Sequence, residues 1–191
     1  MNLSWLDERP MIVAIAGSNG AGKTTFYHAH LARAGLRFVN ADLIARELDI
    51  NAYAAARLAN NIRRELFKMG ESFAFETVFS DPIGEKVEFL KMAAANGYTV
   101  VVLFIAIDDF SVSNERVAMR VTQGGHDVPL DKLVERFPRT LLNLKLAIKE
   151  LPHVLVFDNN DLDKPYQLIA EFENGALKNS KISKARLNKF M

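Results

Sequence analysis

No cysteine occurs among the 191 residues, which excludes disulfides, thiolate metal sites and a cysteine nucleophile. A reducing cytoplasm suits such a chain. Long hydrophobic runs are also missing. The longest, Val100 to Ile107, is far short of the roughly 20 apolar residues that cross a bilayer. The first ten residues carry Asp7, Glu8 and Arg9 with no apolar run before them, unlike a secretory signal. The expectation is a soluble, cytoplasmic protein with no membrane partner. A surplus of one charge is lacking too. There are 24 basic and 23 acidic side chains, a net charge of +1, so a body built to hold nucleic acid is not suggested. The exception is the end of the chain, where Lys178, Lys181, Lys184, Arg186 and Lys189 follow one another with no acid from Asn174 onward. Residues 176–191 read as a solvated basic tail behind a single domain spanning 1–175.

What is present is enough for a packed core, with 49% apolar and 25% charged residues. Met11 to Ala16 (MIVAIA) is a short apolar run that ends at Gly17, as expected of a strand buried on both faces. Gly22 to Ala34 reads as a helix stopped by Gly35. Further strands are expected at Leu36–Val39, Ser72–Glu76, Thr99–Ile107 and Val154–Phe157. Further helices are expected at Ala41–Leu48, Ala52–Met69, from Pro82 to Asn96, Ser111–Val121 and from Leu130 onward, with a kink or break at Pro138. Tyr166–Phe172 reads as the last helix. Strands alternating with helices imply an α/β fold with a parallel sheet covered on both faces.

Gly17-Ser18-Asn19-Gly20-Ala21-Gly22-Lys23-Thr24, followed by Thr25, matches GxxxxGK[ST]. Glycines allow successive backbone N–H groups to converge on phosphate oxygens. The helix behind them points its positive end at the same anion. Lys23 reaches the β- and γ-phosphates of ATP or GTP, and the Thr24 hydroxyl can ligate Mg²⁺. The motif follows a buried strand and opens a helix, the context that this chemistry requires. Arg116 and Arg120 are four apart and share a helix face. Asp108-Asp109, after an apolar run, reads as a cap for the helix near Ser111 rather than as a Mg²⁺ ligand. His28 and His30 have no metal-ligand spacing to another candidate.

Three further segments stand downstream: Asn40-Ala41-Asp42-Leu43-Ile44-Ala45, Ser72-Phe73-Ala74-Phe75-Glu76-Thr77 and Gly124-Gly125-His126-Asp127-Val128-Pro129. With the phosphate loop they make the chain resemble the zeta-toxin-like P-loop kinases, in particular their stand-alone bacterial branch, over most of residues 11–175. The resemblance implies a three-layer P-loop kinase fold with a five-stranded parallel sheet in the order 2-3-1-4-5. It places Glu76 at the end of the strand beside the phosphate loop. It implies transfer of the ATP γ-phosphate, with Mg²⁺, to a hydroxyl of a small molecule. The best-known zeta toxins phosphorylate the sugar of UDP-N-acetylglucosamine.

By the same resemblance Asp42 matches the catalytic aspartate that accepts the hydroxyl proton, although an aspartate there suits a helix N-cap as well. Glu76 and Thr77 fall to the acceptor side, where Glu76 meets substrate hydroxyls or a Mg²⁺-bound water. Arg116 matches the first of two lid arginines in a helical lid of about residues 111–140, with Gly124-Gly125 as a hinge. The second lid position holds His126, which leaves Arg120, Arg136 or Arg139 to supply the charge. Asp158-Asn159-Asn160 is read as shaping the adenine-side loop. A second reading is a nucleotide-dependent switch or ATPase acting through a protein partner; no NKxD-like segment supports a GTPase version. An antitoxin partner is compatible with the sequence but has no support in it.

Overall fold

Strand β1 (Met11–Ala16) is buried along its whole length, and its side chains alternate between two cores. Ile12, Ala14 and Ala16 enter one, and Met11, Val13 and Ile15 enter the other. A strand with no polar position can only lie inside a sheet covered on both sides. The computed structural model, which describes residues 8–122 and 128–191, places it there.

The other strands are β2 (Arg37–Val39), β3 (Phe73–Thr77), β4 (Thr99–Ala106), β5 (His153–Asp158), β6 (Gln167–Glu173) and β7 (Ala176–Ser180). They form one sheet in the order β2-β3-β1-β4-β5-β6-β7. The first five are parallel in the expected 2-3-1-4-5 order, while β6 and β7 pair antiparallel at the far side. Helix α1 (Lys23–Phe26) continues into a π-helical turn, Tyr27–Leu31. The remaining helices are α2 (Ala41–Leu48), α3 (Ala52–Lys68), α4 (Glu85–Ala95), α5 (Phe110–Thr122), α6 (Leu130–Glu150) and α7 (Lys184–Leu187). Side chains of α3, α4 and α6 fill one core, and Phe26 and Tyr27 anchor the other.

Four expectations are corrected. The segment read as a last helix, 166–172, is the antiparallel strand β6. It pairs with β5 beyond the loop 159–166, and Asn174 and Gly175, at φ 50° and 79°, form a tight turn of the kind that an Asn-Gly pair supplies to a hairpin, from which β7 folds back against β6. Among the described residues the sheet therefore has seven strands rather than five, within the same fold class. Residues 176–191 are not a solvated tail, and the boundary expected at residue 175 falls inside that hairpin. Leu187 and Phe190, 7% and 4% exposed, enter the main core and anchor the segment despite its lysines. Helix α4 starts at Glu85, not Pro82. Gly84 at φ 71° precedes it, and Asp81 Oδ1 accepts from the Glu85 N–H. Finally, α6 runs through Pro138 without a break. The proline removes one N–H from the ladder, but the buried Leu133, Leu144, Ala147 and Ile148 hold both halves.

Candidate functional site

The phosphate loop leaves β1 at Gly17, whose φ of 146° is closed to ordinary side chains. A Cβ there would lie 2.4 Å from the Ile105 carbonyl oxygen of β4. Gly22, at φ 91°, opens α1, and a Cβ there would lie 2.8 Å from both Asn159 Nδ2 and the Tyr166 hydroxyl. Both glycines are thus required by backbone conformation and by close approach. Behind them the first N–H groups of α1 face the loop, which suits an anion. Lys23 is 6% exposed. Its Nζ donates to the Ser18 carbonyl at 2.9 Å and lies 3.7 Å from Glu76 Oε1.

Glu76 joins three elements. The β1–β3 register sets it opposite Ile15, next to the loop. Its Oε2 accepts from Thr24 Oγ1 and from Asn40 Nδ2, each at 2.7 Å. A hydroxyl and a carboxylate oxygen held side by side are hard donors of the kind Mg²⁺ takes. Among the described residues no group of three His, Asp or Glu gathers around a metal. Mg²⁺ in kinase sites is held by one or two protein oxygens together with substrate phosphates, and Thr24 with Glu76 fits that donor set. Thr77 instead accepts from the Phe79 N–H at 3.0 Å, bracing a buried turn in which Phe79 sits at φ 64°.

Asn40 is 3% exposed and divides its amide between two tasks. Its Oδ1 accepts from the N–H groups of Asp42 (2.8 Å) and Leu43 (3.1 Å), capping α2, while its Nδ2 holds Glu76. The cap is therefore Asn40 and not Asp42. The Asp42 carboxylate is exposed in the first turn of α2 and takes no hydrogen bond or ion pair from the described residues. No phosphate-binding or acid-base motif marks Asn40 in the sequence, although its side chain joins the site. An asparagine immediately before a helix was the available signal; its second bond needed the β2–β3 pairing.

Helix α5 lies across the loop. Ser113 Oγ donates to the Asn19 carbonyl at 2.7 Å, and a Cβ on Gly20 would meet the Ser113 carbonyl oxygen at 2.9 Å and Arg116 Cβ at 3.1 Å. Arg116 donates through Nη1 to the Asn159 carbonyl (2.8 Å) and through Nη2 to the Asn160 carbonyl (3.1 Å). The Asp158–Asn160 segment follows β5, and Asn159 Nδ2 donates to the Ala21 carbonyl at 2.8 Å. The Oδ1 of Asn159 is buried without a partner among the described residues. Tyr166 donates its hydroxyl to the Gly22 carbonyl at 3.0 Å, and its ring meets Phe26 edge-on. Burial pushes its phenol above the ordinary value. Thr25 is exposed at the start of α1.

Asp109, not Asp108, caps α5. The Ser111 hydroxyl, with the N–H groups of Val112 and Ser111, bonds its carboxylate and holds it below the usual range. Asp108 pairs with Arg186 instead. Arg120 falls on α5, with its side chain outside the described residues, as are Gly124, Gly125 and His126. Arg136 is half-buried on α6, and Arg139 pairs with Glu135. His30 packs its ring on Phe26 and Tyr166. The structure thus brings Ser18, Lys23, Thr24 and Glu76 together, with Asn40 and Asp42 beside them, and sets Arg116 across the loop on the β5 side.

A family model, that of zeta toxin, matches residues 46–167. The matched stretch holds Glu76, Thr77, Arg116 and Arg120 and begins after the phosphate loop and Asp42. No relative of curated function matches the chain. Among solved structures it is similar to the AvrRxo1-ORF1:AvrRxo1-ORF2 complex with sulphate ions, at a TM-score of 0.70 and 15% identity over 96% of this chain and 64% of that one. The same pair solved with ATP matches at a TM-score of 0.61 and 13% identity, again over 96% and 64%. The PezAT chromosomal toxin-antitoxin system of Streptococcus pneumoniae matches at 0.61 and 11%, over 96% of this chain and 78% of that one. A shikimate kinase from Acinetobacter baumannii in complex with shikimate matches at 0.52 and 15%, over 83% and 87%. The chain thus spans 64% of the length of the AvrRxo1 chains it resembles. These likenesses show a shared fold, and the match over 46–167 shows kinship: the chain belongs to the zeta toxin family.

Proposed function

We propose that the protein is an ATP-dependent phosphotransferase that moves the γ-phosphate to a hydroxyl of a small molecule. The observation that carries this reading is the junction at Glu76, where the phosphate loop (Thr24) and the start of α2 (Asn40, two residues before Asp42) meet on one carboxylate. A donor phosphate on the loop and a hydroxyl at Asp42 would stand on either side of it.

On binding the triphosphate, Lys23 exchanges the Ser18 carbonyl for phosphate oxygens, a swap of one buried charge-assisted bond for stronger ones. The loop N–H groups and the end of α1 take the remaining charge. Thr24 and Glu76 would hold Mg²⁺, which supplies neutralisation of the β- and γ-phosphate charge. Asp42 accepts the proton of the attacking hydroxyl as its oxygen bonds to the γ-phosphorus, and the bond from that phosphorus to the bridging oxygen breaks, leaving ADP. Arg116 balances charge at the nucleotide from the β5 side. The family resemblance puts nucleotide sugars first among the acceptors to try.

Incubation with labelled ATP and a metabolite extract, followed by isolation of the labelled product, tests the reading. One labelled small molecule should form, and it should vanish in Lys23→Ala and Asp42→Asn. Phosphate release that needs no acceptor would support the switch or ATPase reading instead. Likeness to a toxin-antitoxin system supports one further measurement: expression toxicity of the wild type that disappears in Asp42→Asn.

A further inference from the structure

The last elements of the chain, β7 and α7, lie beyond the family-matched stretch, yet α7 returns to the end of the sheet that carries the phosphate loop. Arg186 Nη2 sits 2.8 Å from Asp108 Oδ1 and 2.7 Å from Asp158 Oδ2. These carboxylates stand where the adjacent strands β4 and β5 end, Ala106 being in register with Asp158. Asn160 ties the same two ends together. Its N–H donates to Asp158 Oδ1 at 3.0 Å, and its Oδ1 accepts from the Asp108 N–H at 2.8 Å. From this bracket hang two parts of the site: Arg116, whose guanidinium donates to the carbonyls of Asn159 and Asn160, and the phosphate loop, whose Ala21 carbonyl accepts from Asn159 Nδ2.

We infer that Arg186 is a positioning residue, a C-terminal clamp that fixes segment 158–160 and through it the placement of Arg116 and the wall of the phosphate loop. The physical reason is charge. Without the guanidinium, Asp108 and Asp158 become two facing anions at neighbouring strand ends, and like charges at this range repel. Asn160 bridges both residues and cannot keep both bonds if they separate. The carbonyls that hold Arg116 then move with it. Arg186 is itself 27% exposed, so its pairs are partly screened and add little to global stability; the effect is on geometry.

The part concerning turnover rests on the phosphotransferase reading, and the part concerning the segment does not. Amide hydrogen exchange on the full-length, ligand-free protein separates them. Arg186→Gln should speed exchange at Asn160 and Asp108 by about tenfold, the scale of losing a charge-assisted bond, while amides in the middle of β1 and β4 stay as in the wild type. Unchanged exchange at Asn160 and Asp108, or acceleration spread evenly over the sheet, overturns the inference.

Calorimetric Mg²⁺-ATP binding is then compared across Arg186→Gln, Arg116→Gln and the pair, with thermal midpoints as a folding control. If Arg186 acts through Arg116, either change alone should weaken binding by about tenfold and the pair by no more than about twofold further. Losses that multiply in the pair refute action through Arg116. A wild type that binds no ATP sinks the phosphotransferase reading alone, and the exchange result still decides the clamp.

Discussion

Replacing Asn40 by aspartate separates its two bonds. Aspartate caps a helix as well as asparagine does, so the bonds from the Asp42 and Leu43 N–H groups survive. The donor to Glu76 Oε2, at 2.7 Å, does not. In its place a second carboxylate faces Glu76 in a site where Asn40 is 3% exposed. Losing a hydrogen bond to a charged group costs about 1.5–3 kcal/mol, and the new repulsion adds to it, giving about 3 kcal/mol in all. For a chain of this size that lowers the thermal midpoint by roughly 6–12 °C.

The sign of the pH dependence follows. One carboxyl of the new pair has its folded pKa raised above the unfolded value by its neighbour. When protonated it donates to the other and restores the bridge, so the deficit is full at pH 8 and shrinks as the pH falls toward 5. Asn40→Ala is the companion. It loses cap and bridge together, and its deficit stays constant over that range. Thermal unfolding of the three proteins at pH 5 and pH 8 decides the matter. An Asn40→Asp protein as stable as the wild type at pH 8, or one whose deficit ignores pH, would refute the assignment of Glu76 as the partner.

Lys23→Ala should weaken Mg²⁺-ATP binding roughly 100-fold by calorimetry while leaving the fold intact, because a desolvated cation against phosphate is removed. Gly17→Ala should cost about 2–3 kcal/mol in urea unfolding and abolish nucleotide binding, since its Cβ has no room beside the Ile105 carbonyl. Phe172→Ala should cost about 3–5 kcal/mol; a loss below 1 kcal/mol would contradict the placement of β6 over the core. Burial holds the His153 imidazole below its ordinary value against the pull of Glu173, Glu8 and Glu171. The unfolded chain thus binds a proton that the folded one refuses. Stability should fall as the pH drops through 6.5 toward the folded value, and His153→Gln should flatten that slope.

Where the sequence was one-sided in its demands, it could be read. The all-apolar β1 admits no surface position, and the glycines of the loop admit no other backbone, so strand, loop and helix follow in order. Asn174-Gly175 carried a hairpin signal as well, but the short run before it has a period that suits helix or strand alike, and the pairing of β6 with β5 settled it. Basic residues masked the apolar spacing of Ile182, Leu187 and Phe190, which is what folds the C-terminal segment. The clustering of Asn40, Glu76 and Thr24 was hidden for a different reason. Their contacts span 36 and 52 positions and exist only once β3 lies between β2 and β1.

The two outer strands bear on how the protein behaves in a crowded solution. At one border, among the described residues, the sheet stops with β2, only three residues long. At the other, β7 turns Lys178 outward, 54% exposed and paired with Glu173 of β6. Another chain adding itself to either border would find too short a ladder on one side and a charge to strip of water on the other. The hairpin that ends the sheet thus also shields the strongly apolar strands inside it from joining strands of other molecules.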